Sequence, residues 1–261
     1  MNFQRNSITV TSVVLHPTGP QNPAVAFELT AVQQNMGPVS IQSSAVHLVR
    51  VDGIHQNAHS TTIRFRLNIF SSPGGTAIVT ATQGHTSLRL TVSVEAAITL
   101  PDRNTIPGAV ARLLMSEARG PANGAYVAAD TLRAMQWMRR VLENRLGNDP
   151  AQFAAPHATN VIDIIKAPNQ FAGFSGYPNY SPQTRDRLQQ MLDLANNDGD
   201  RRQAQYREFV RNAITVAQAA TAIRDPCPTG LYGWRTQGSA SPGGRFVQYQ
   251  NLTGNTFYTL P

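Results

Sequence analysis

Residues 88–120 read LRLTVSVEAAITLPDRNTIPGAVARLLMSEARG, and the chain changes character inside them. Leu88, Leu90, Val92 and Val94 alternate with smaller or polar neighbours, the period of a strand with one buried and one solvated face. The alternation stops near residue 97, and Leu100-Pro101-Asp102-Arg103-Asn104 reads as a short linker. Thr105 then stands where a helix N-cap belongs, with Pro107 in the first turn, where a missing N–H costs little. Val110, Leu113 and Leu114 follow at helical spacing, and Gly120-Pro121 closes the pattern.

Toward the N-terminus the strand period recurs. Ile8 and Val10, Val25, Phe27 and Leu29, and most cleanly Ile63, Phe65, Leu67 and Ile69 alternate with polar residues. Turn signals separate the runs at His16-Pro17-Thr18-Gly19-Pro20, Asn35-Met36-Gly37-Pro38, Asp52-Gly53 and Ser72-Pro73-Gly74-Gly75. About seven short strands in such a length predict an all-β, immunoglobulin-like sandwich over residues 1–99. This half has no Trp and no Cys, so the match is to an architecture. His55 and His59 are four apart, but in a stretch that reads as a polar loop and with no third ligand in view, so no metal site is expected. A domain of this kind binds, docks or delivers.

Residues 100–261 read as a mainly α domain. Ala128, Leu132, Met135, Met138, Leu142 and Leu146 recur every three or four residues before Gly147. Further helices are expected over 160–166, 184–196 and 201–224, with Pro168, Pro182 and Pro226 as boundaries. The tail from Pro226 reads as loops with at most one hairpin.

Composition narrows the classes. The 261 residues are 41% hydrophobic, enough to build a core, and no apolar run reaches the ~18 residues that a membrane-spanning helix requires. Cys227 is the one cysteine, which excludes an internal disulfide and a cysteine-based zinc cluster. The net charge of +7 comes almost wholly from arginine, Lys166 being the lone lysine. Arginine suits phosphate and carboxylate, so an anionic partner fits, although a merely basic surface gives the same count. The arginines of 201–224 follow no groove-reading motif, so neither nucleic acid nor membrane is expected as a partner.

Glu117 is the most informative residue. Positions 110, 113, 114 and 117 form an i, i+3, i+4, i+7 set in which three members are apolar and the fourth is an acid. Glu117 should therefore face the interior, where desolvation and the helix C-terminus both raise its pKa. A carboxylic acid still protonated near neutral pH can protonate a leaving alkoxide, as glycosidic cleavage requires. The competing readings are a solvated residue at a frayed helix end and a buried acid paired with an arginine.

The words around Glu117 separate these readings. Leu114-Met115-Ser116-Glu117-Ala118-Arg119-Gly120 is followed by a helix carrying Asn144-Arg145, then by Val161-Ile162 with Gln170-Phe171, then by Asp225-Pro226-Cys227-Pro228-Thr229-Gly230. In this order they resemble the cell-wall hydrolase family that includes spore-cortex-lytic enzymes, over about residues 105–260. The resemblance implies a lysozyme-like helical fold, cleavage of the peptidoglycan glycan strand next to N-acetylmuramic acid, Glu117 as catalytic acid, and Gln170 and Phe171 in the cleft. The chain departs from the family pattern at Pro121, beyond Phe171, and at the inserted Cys227-Pro228.

Two mechanisms suit one buried acid. A lytic transglycosylase uses it first as acid and then as base toward the sugar's own 6-hydroxyl, whereas a muramidase usually needs a second carboxylate. Asp163 is the first candidate for that second acid, with Glu143 and the more remote Asp225 behind it, but Asp163 reads more readily as an exposed helix residue and Glu143 as solvated helix surface. The lack of an evident second acid favours the transglycosylase. Phe171, Phe174, Tyr177 and Tyr180 cluster with Asn169, Gln170 and Asn179 in one loop, so sugar stacking and amide contacts are expected there, unless the rings serve packing alone. No cofactor is expected. The start, MNFQRNSITVTSVV, lacks the pattern of a secretory signal. The expectation is an antibacterial effector made in the bacterial cytoplasm and exported by a machine such as type VI secretion. It would act on a target cell's wall and be matched by an immunity protein. A phage-borne lysin, and a non-catalytic glycan-binding module on a degenerate hydrolase fold, are the alternatives.

Overall fold

A computed structural model describes residues 1–17, 23–33, 37–56, 61–70 and 74–261. The expected turns at Thr18–Pro20, Asn35-Met36 and Ser72-Pro73, together with His59, lie outside the described residues. The chain divides into two compact units, Met1–Ala97 with Asn196–Gln203, and Ile98–Ala195 with Ala204–Pro261. The first is therefore not continuous in sequence.

The first unit is built of strands: β1 (Asn2–Arg5), β2 (Ile8–Thr9), β3 (Ser12–Leu15), β4 (Val25–Thr30), β5 (Ser40–Ser43), β6 (Val49–Gln56), β7 (Ile63–Ile69), β8 (Gly75–Gln83) and β9 (Thr86–Val94). They form one sheet in the order β2-β1-β4-β7-β6 and another in the order β3-β9-β8-β5, antiparallel except for β3 beside β9. Alternation explains the packing. Ile63, Phe65, Leu67 and Ile69 of β7 point inward and Arg64 and Arg66 outward, so the inner faces of both sheets supply one core. Phe27 stacks on Phe65 with centroids 5.7 Å apart. Between β8 and β9 the chain reverses through Gly84 at φ +57°, a left-handed turn that suits glycine. His55, expected in a loop, lies on β6 opposite Arg64. The 196–203 segment contributes Asp198, which is fully buried beside His16. Its Oδ1 lies 2.6 Å from His16 Nδ1, and its Oδ2 accepts from the His16 amide at 2.5 Å.

The second unit contains α1 (Ile106–Glu117), α2 (Ala128–Gly147), a 3-10 turn at Pro150–Phe153, α3 (Val161–Lys166), α4 (Pro182–Ala195) and α5 (Gln203–Gln218). Thr105 caps α1 as expected, its Oγ1 accepting from Gly108 N at 3.1 Å. Gly108 is required for packing, because a Cβ there would come within 1.8 Å of Asp102 O in the linker. Residues 108–111 and 113–115 of α1 are all buried, so the helix is covered on every side and not only along one stripe. α5 stops at Gln218, short of the expected 224. The tail is more regular than its sequence suggests: β10 (Leu231–Thr236), β11 (Val247–Leu252) and β12 (Asn255–Thr259) form an antiparallel sheet in the order β10-β12-β11. Among the described residues, no helix is long and apolar enough to cross a membrane.

Candidate active site

Because α1 is enclosed by the second unit's core, its end fixes where Glu117 emerges. The helix stops at Glu117, and the cap residue Ala118 turns to an extended ψ of 150°. Glu117 is partly covered there, and Trp234 of β10 donates its Nε1–H to Oε2 at 3.3 Å. Burial raises the Glu117 pKa, while the Trp234 hydrogen bond and the charge of Arg187 oppose the rise without cancelling it. Arg187 itself donates to the Ser116 carbonyl at 2.6 Å. The acid therefore lies beside a guanidinium without being locked to it.

Glu117 opens into a groove of about 570 Å³ lined also by Arg145, Gln152, Phe153, Gln170, Trp234 and Phe246. Glu117 is the one carboxylate in that lining. Gly233 matters for close approach, since a Cβ there would meet Phe246 at 3.1 Å and Arg145 at 3.6 Å.

Arg145 organises the floor. Its Nε donates to Tyr232 O at 2.7 Å and its Nη1 to Gln170 Oε1 at 2.9 Å. Its guanidinium lies 5.0 Å from the Phe153 centroid and 5.6 Å from that of Phe171. Burial pushes its pKa down to about 10, which leaves it charged at neutral pH. Next along α2, Asn144 Nδ2 donates to Leu231 O at 2.8 Å and to Asp225 Oδ2 at 2.6 Å. Asp225 also accepts from Cys227 N at 2.9 Å, Leu231 N at 3.2 Å and Arg140 Nε at 3.4 Å. Asp225 thus clamps the entry to β10, the strand that carries Trp234. The four sequence words converge: one supplies the acid, one the Asn144-Arg145 anchor, one the Gln170-Phe171 wall, and one the Asp225 clamp.

The structure treats the expected site residues differently. Glu117 and Gln170 line the groove. Phe171 is buried behind it, stacked on Trp234 with centroids 5.1 Å apart, so it supports the wall. Phe174 and Tyr177 are core residues, stacked on one another, with Tyr177 also stacked on Tyr180, Phe174 tilted against it, and the Tyr177 hydroxyl donating to Arg103 O. Asn179 is exposed in the turn after them. None of these three is in the groove lining, because their loop turns its aromatic side into the core. Asp163 is occupied in capping α3: its Oδ2 accepts from Thr159 N at 3.0 Å, Thr159 Oγ1 at 3.2 Å and Asn160 Nδ2 at 3.0 Å. Glu143 bonds Arg139 and Arg140. Trp234, Phe153 and Phe246 were not singled out by sequence. Trp234 and Phe246 lie in a tail rich in Gly and Pro, where alternation is hard to see, and Phe153 lies in a 3-10 turn too short to show a period.

No family model matches the chain, and no curated protein is similar to it. Among solved structures, the S-layer protein rSbsC(31-844) is similar at 16% identity over 35% of this chain and 12% of that one, with a TM-score of 0.28. A fragment comprising SbsC domains 4 and 5 aligns at 16% identity over 37% of this chain and 52% of that one, also at 0.28. The likeness is too slight to assign a fold.

Proposed function

We propose that the second unit is a lysozyme-like peptidoglycan glycosidase, with Glu117 as its general acid and base. The supporting observation is a carboxyl whose pKa is raised by burial, held by an indole N–H, as the one acid lining a groove walled by aromatic and amide side chains. Glu117 gives its proton to the bridging oxygen as the bond from C1 of N-acetylmuramic acid breaks. The released saccharide leaves with a new hydroxyl, and positive charge develops at C1 and the ring oxygen. The Glu117 carboxylate, now next to that charge, takes the proton of the sugar's 6-hydroxyl as O6 closes on C1. The product is a 1,6-anhydro ring, and the acid is regenerated without water. The occupation of Asp163, Glu143 and Asp225 in structural bonds favours this lytic transglycosylase course over a muramidase.

The first unit, read as an immunoglobulin-like sandwich, would dock or deliver the enzyme to its substrate in the wall. Digestion of purified sacculi with wild type and Glu117→Gln, followed by mass spectrometry, tests the assignment. Anhydro-muropeptides from wild type alone support the transglycosylase, and reducing ends make the protein a muramidase. Cross-links cut within intact strands, or affinity with no fragments, overturn the glycosidase reading.

A further inference from the structure

A second depression of about 410 Å³ adjoins the groove, and Thr236, at the end of β10, belongs to both linings. It is formed by the turn after Glu117, by α4 and α5, and by the turn between β11 and β12. Arg119 and Arg187 face it together with Asn123, Tyr206, Thr253 and Asn255. No Asp or Glu lines it. Among the described residues neither guanidinium forms a salt bridge, and Arg187 reaches Glu117 only through its charge.

Two further features mark a built cavity. Gly254, at φ +73°, lies so close to Arg119 that a Cβ would come within 2.0 Å of Nη2, so this glycine leaves room for the guanidinium beside the turn. Thr253, itself in the left-handed region at φ +46°, keeps its Oγ1 buried with no hydrogen-bond partner among the described residues. A buried hydroxyl without a partner is costly, so this turn keeps a polar group in reserve just beneath the depression.

We infer that this depression receives a carboxylate of the peptide carried by the muramic acid, so that the enzyme prefers peptide-bearing strands to bare glycan. The chemistry is that of paired guanidinium forks and neutral amides around one anion. The position fits, because the cavity meets the groove within two residues of Trp234, the partner of Glu117. The inference rests on the glycosidase reading above.

The test compares initial rates on sacculi and on strands stripped of peptide by an amidase, with the full chain and separated fragments counted by mass spectrometry. Wild type should show kcat/KM at least about tenfold higher on peptide-bearing strands. Arg119→Gln should bring the ratio of the two substrates near one, mainly through KM on the peptide-bearing form. Asn123→Asp provides a second variant, because the exposed Asn123 Oδ1 already accepts from Ala125 N and the substitution keeps that bond while adding a repelling charge. It should lower the ratio in the same sense. Equal wild-type rates on both substrates, or a ratio that neither variant moves, overturn the inference and leave the glycosidase reading standing. Failure of wild type to cut either strand sinks both.

Discussion

Replacing Asp225 by Ala tests the idea that one carboxylate aligns the strand behind Glu117, the proposed general acid. The side chain is 15% exposed and accepts four hydrogen bonds, the two shortest at 2.6 Å from Asn144 and 2.9 Å from Cys227 N. A hydrogen bond to a charged group contributes about 1.5–3 kcal/mol net. The longer bonds from Leu231 N and Arg140 add less, and water entering at the exposed edge recovers part of the loss. The expected destabilisation is about 3–5 kcal/mol, the range for removing one member of a buried charged network. Urea unfolding followed by tryptophan fluorescence is the assay. The two tryptophans, Trp137 and Trp234, both lie in the second unit, so the signal reports on that unit alone. Well below the transition, kcat/KM on glycan should also fall by about 10²-fold, because Trp234 no longer holds Glu117 in register. A loss of stability under about 1 kcal/mol with normal kinetics would refute the clamp.

Glu117→Gln should reduce cleavage by about 10²–10⁴-fold, the usual contribution of a positioned acid. It should also stabilise the fold at neutral pH. Because burial raises the native pKa, the protein loses stability as pH rises from the unfolded value near 4.5 through the native one, and the amide escapes that loss. Urea midpoints of the two proteins should therefore separate as pH rises and coincide in acid; a constant gap would contradict the assigned shift. Trp234→Phe keeps the stack on Phe171 and removes the donor that lowers the Glu117 pKa, so the basic limb of the pH–rate profile should move to higher pH. Asp163→Ala should cost about 1 kcal/mol as a lost helix cap, with kcat within about twofold of wild type. A fall of 10²-fold in that variant, read from initial rates on sacculi, would return Asp163 to the chemistry.

The strand and helix periods of residues 63–69, 88–94 and 128–146 are legible in the sequence because each element has a distinct buried face. Glu117 was legible for the same reason, as an acid at the end of an apolar set. The loop from Asn169 to Tyr180 misled, because Phe174 and Tyr177 look alike as sugar platforms and as core, and only the direction of the chain separates the two. Asp163 has apolar neighbours in sequence, but its carboxylate turns back to Thr159, a cap whose geometry alternation does not record. Trp234 depends on a strand pinned by Asp225 from outside that strand. Such long-range anchoring has no local signature.

The placement of Asp198 has a consequence for synthesis on the ribosome. Residues 1–97 emerge first, yet the carboxylate that meets His16 is translated about a hundred residues after they are complete. The contact between His16 and Asp198 therefore cannot form until all of α1 to α4 has left the exit tunnel. Cutting the linker near residue 100 would not release two independent proteins, since one fragment would carry away the buried carboxylate that meets His16 in the other.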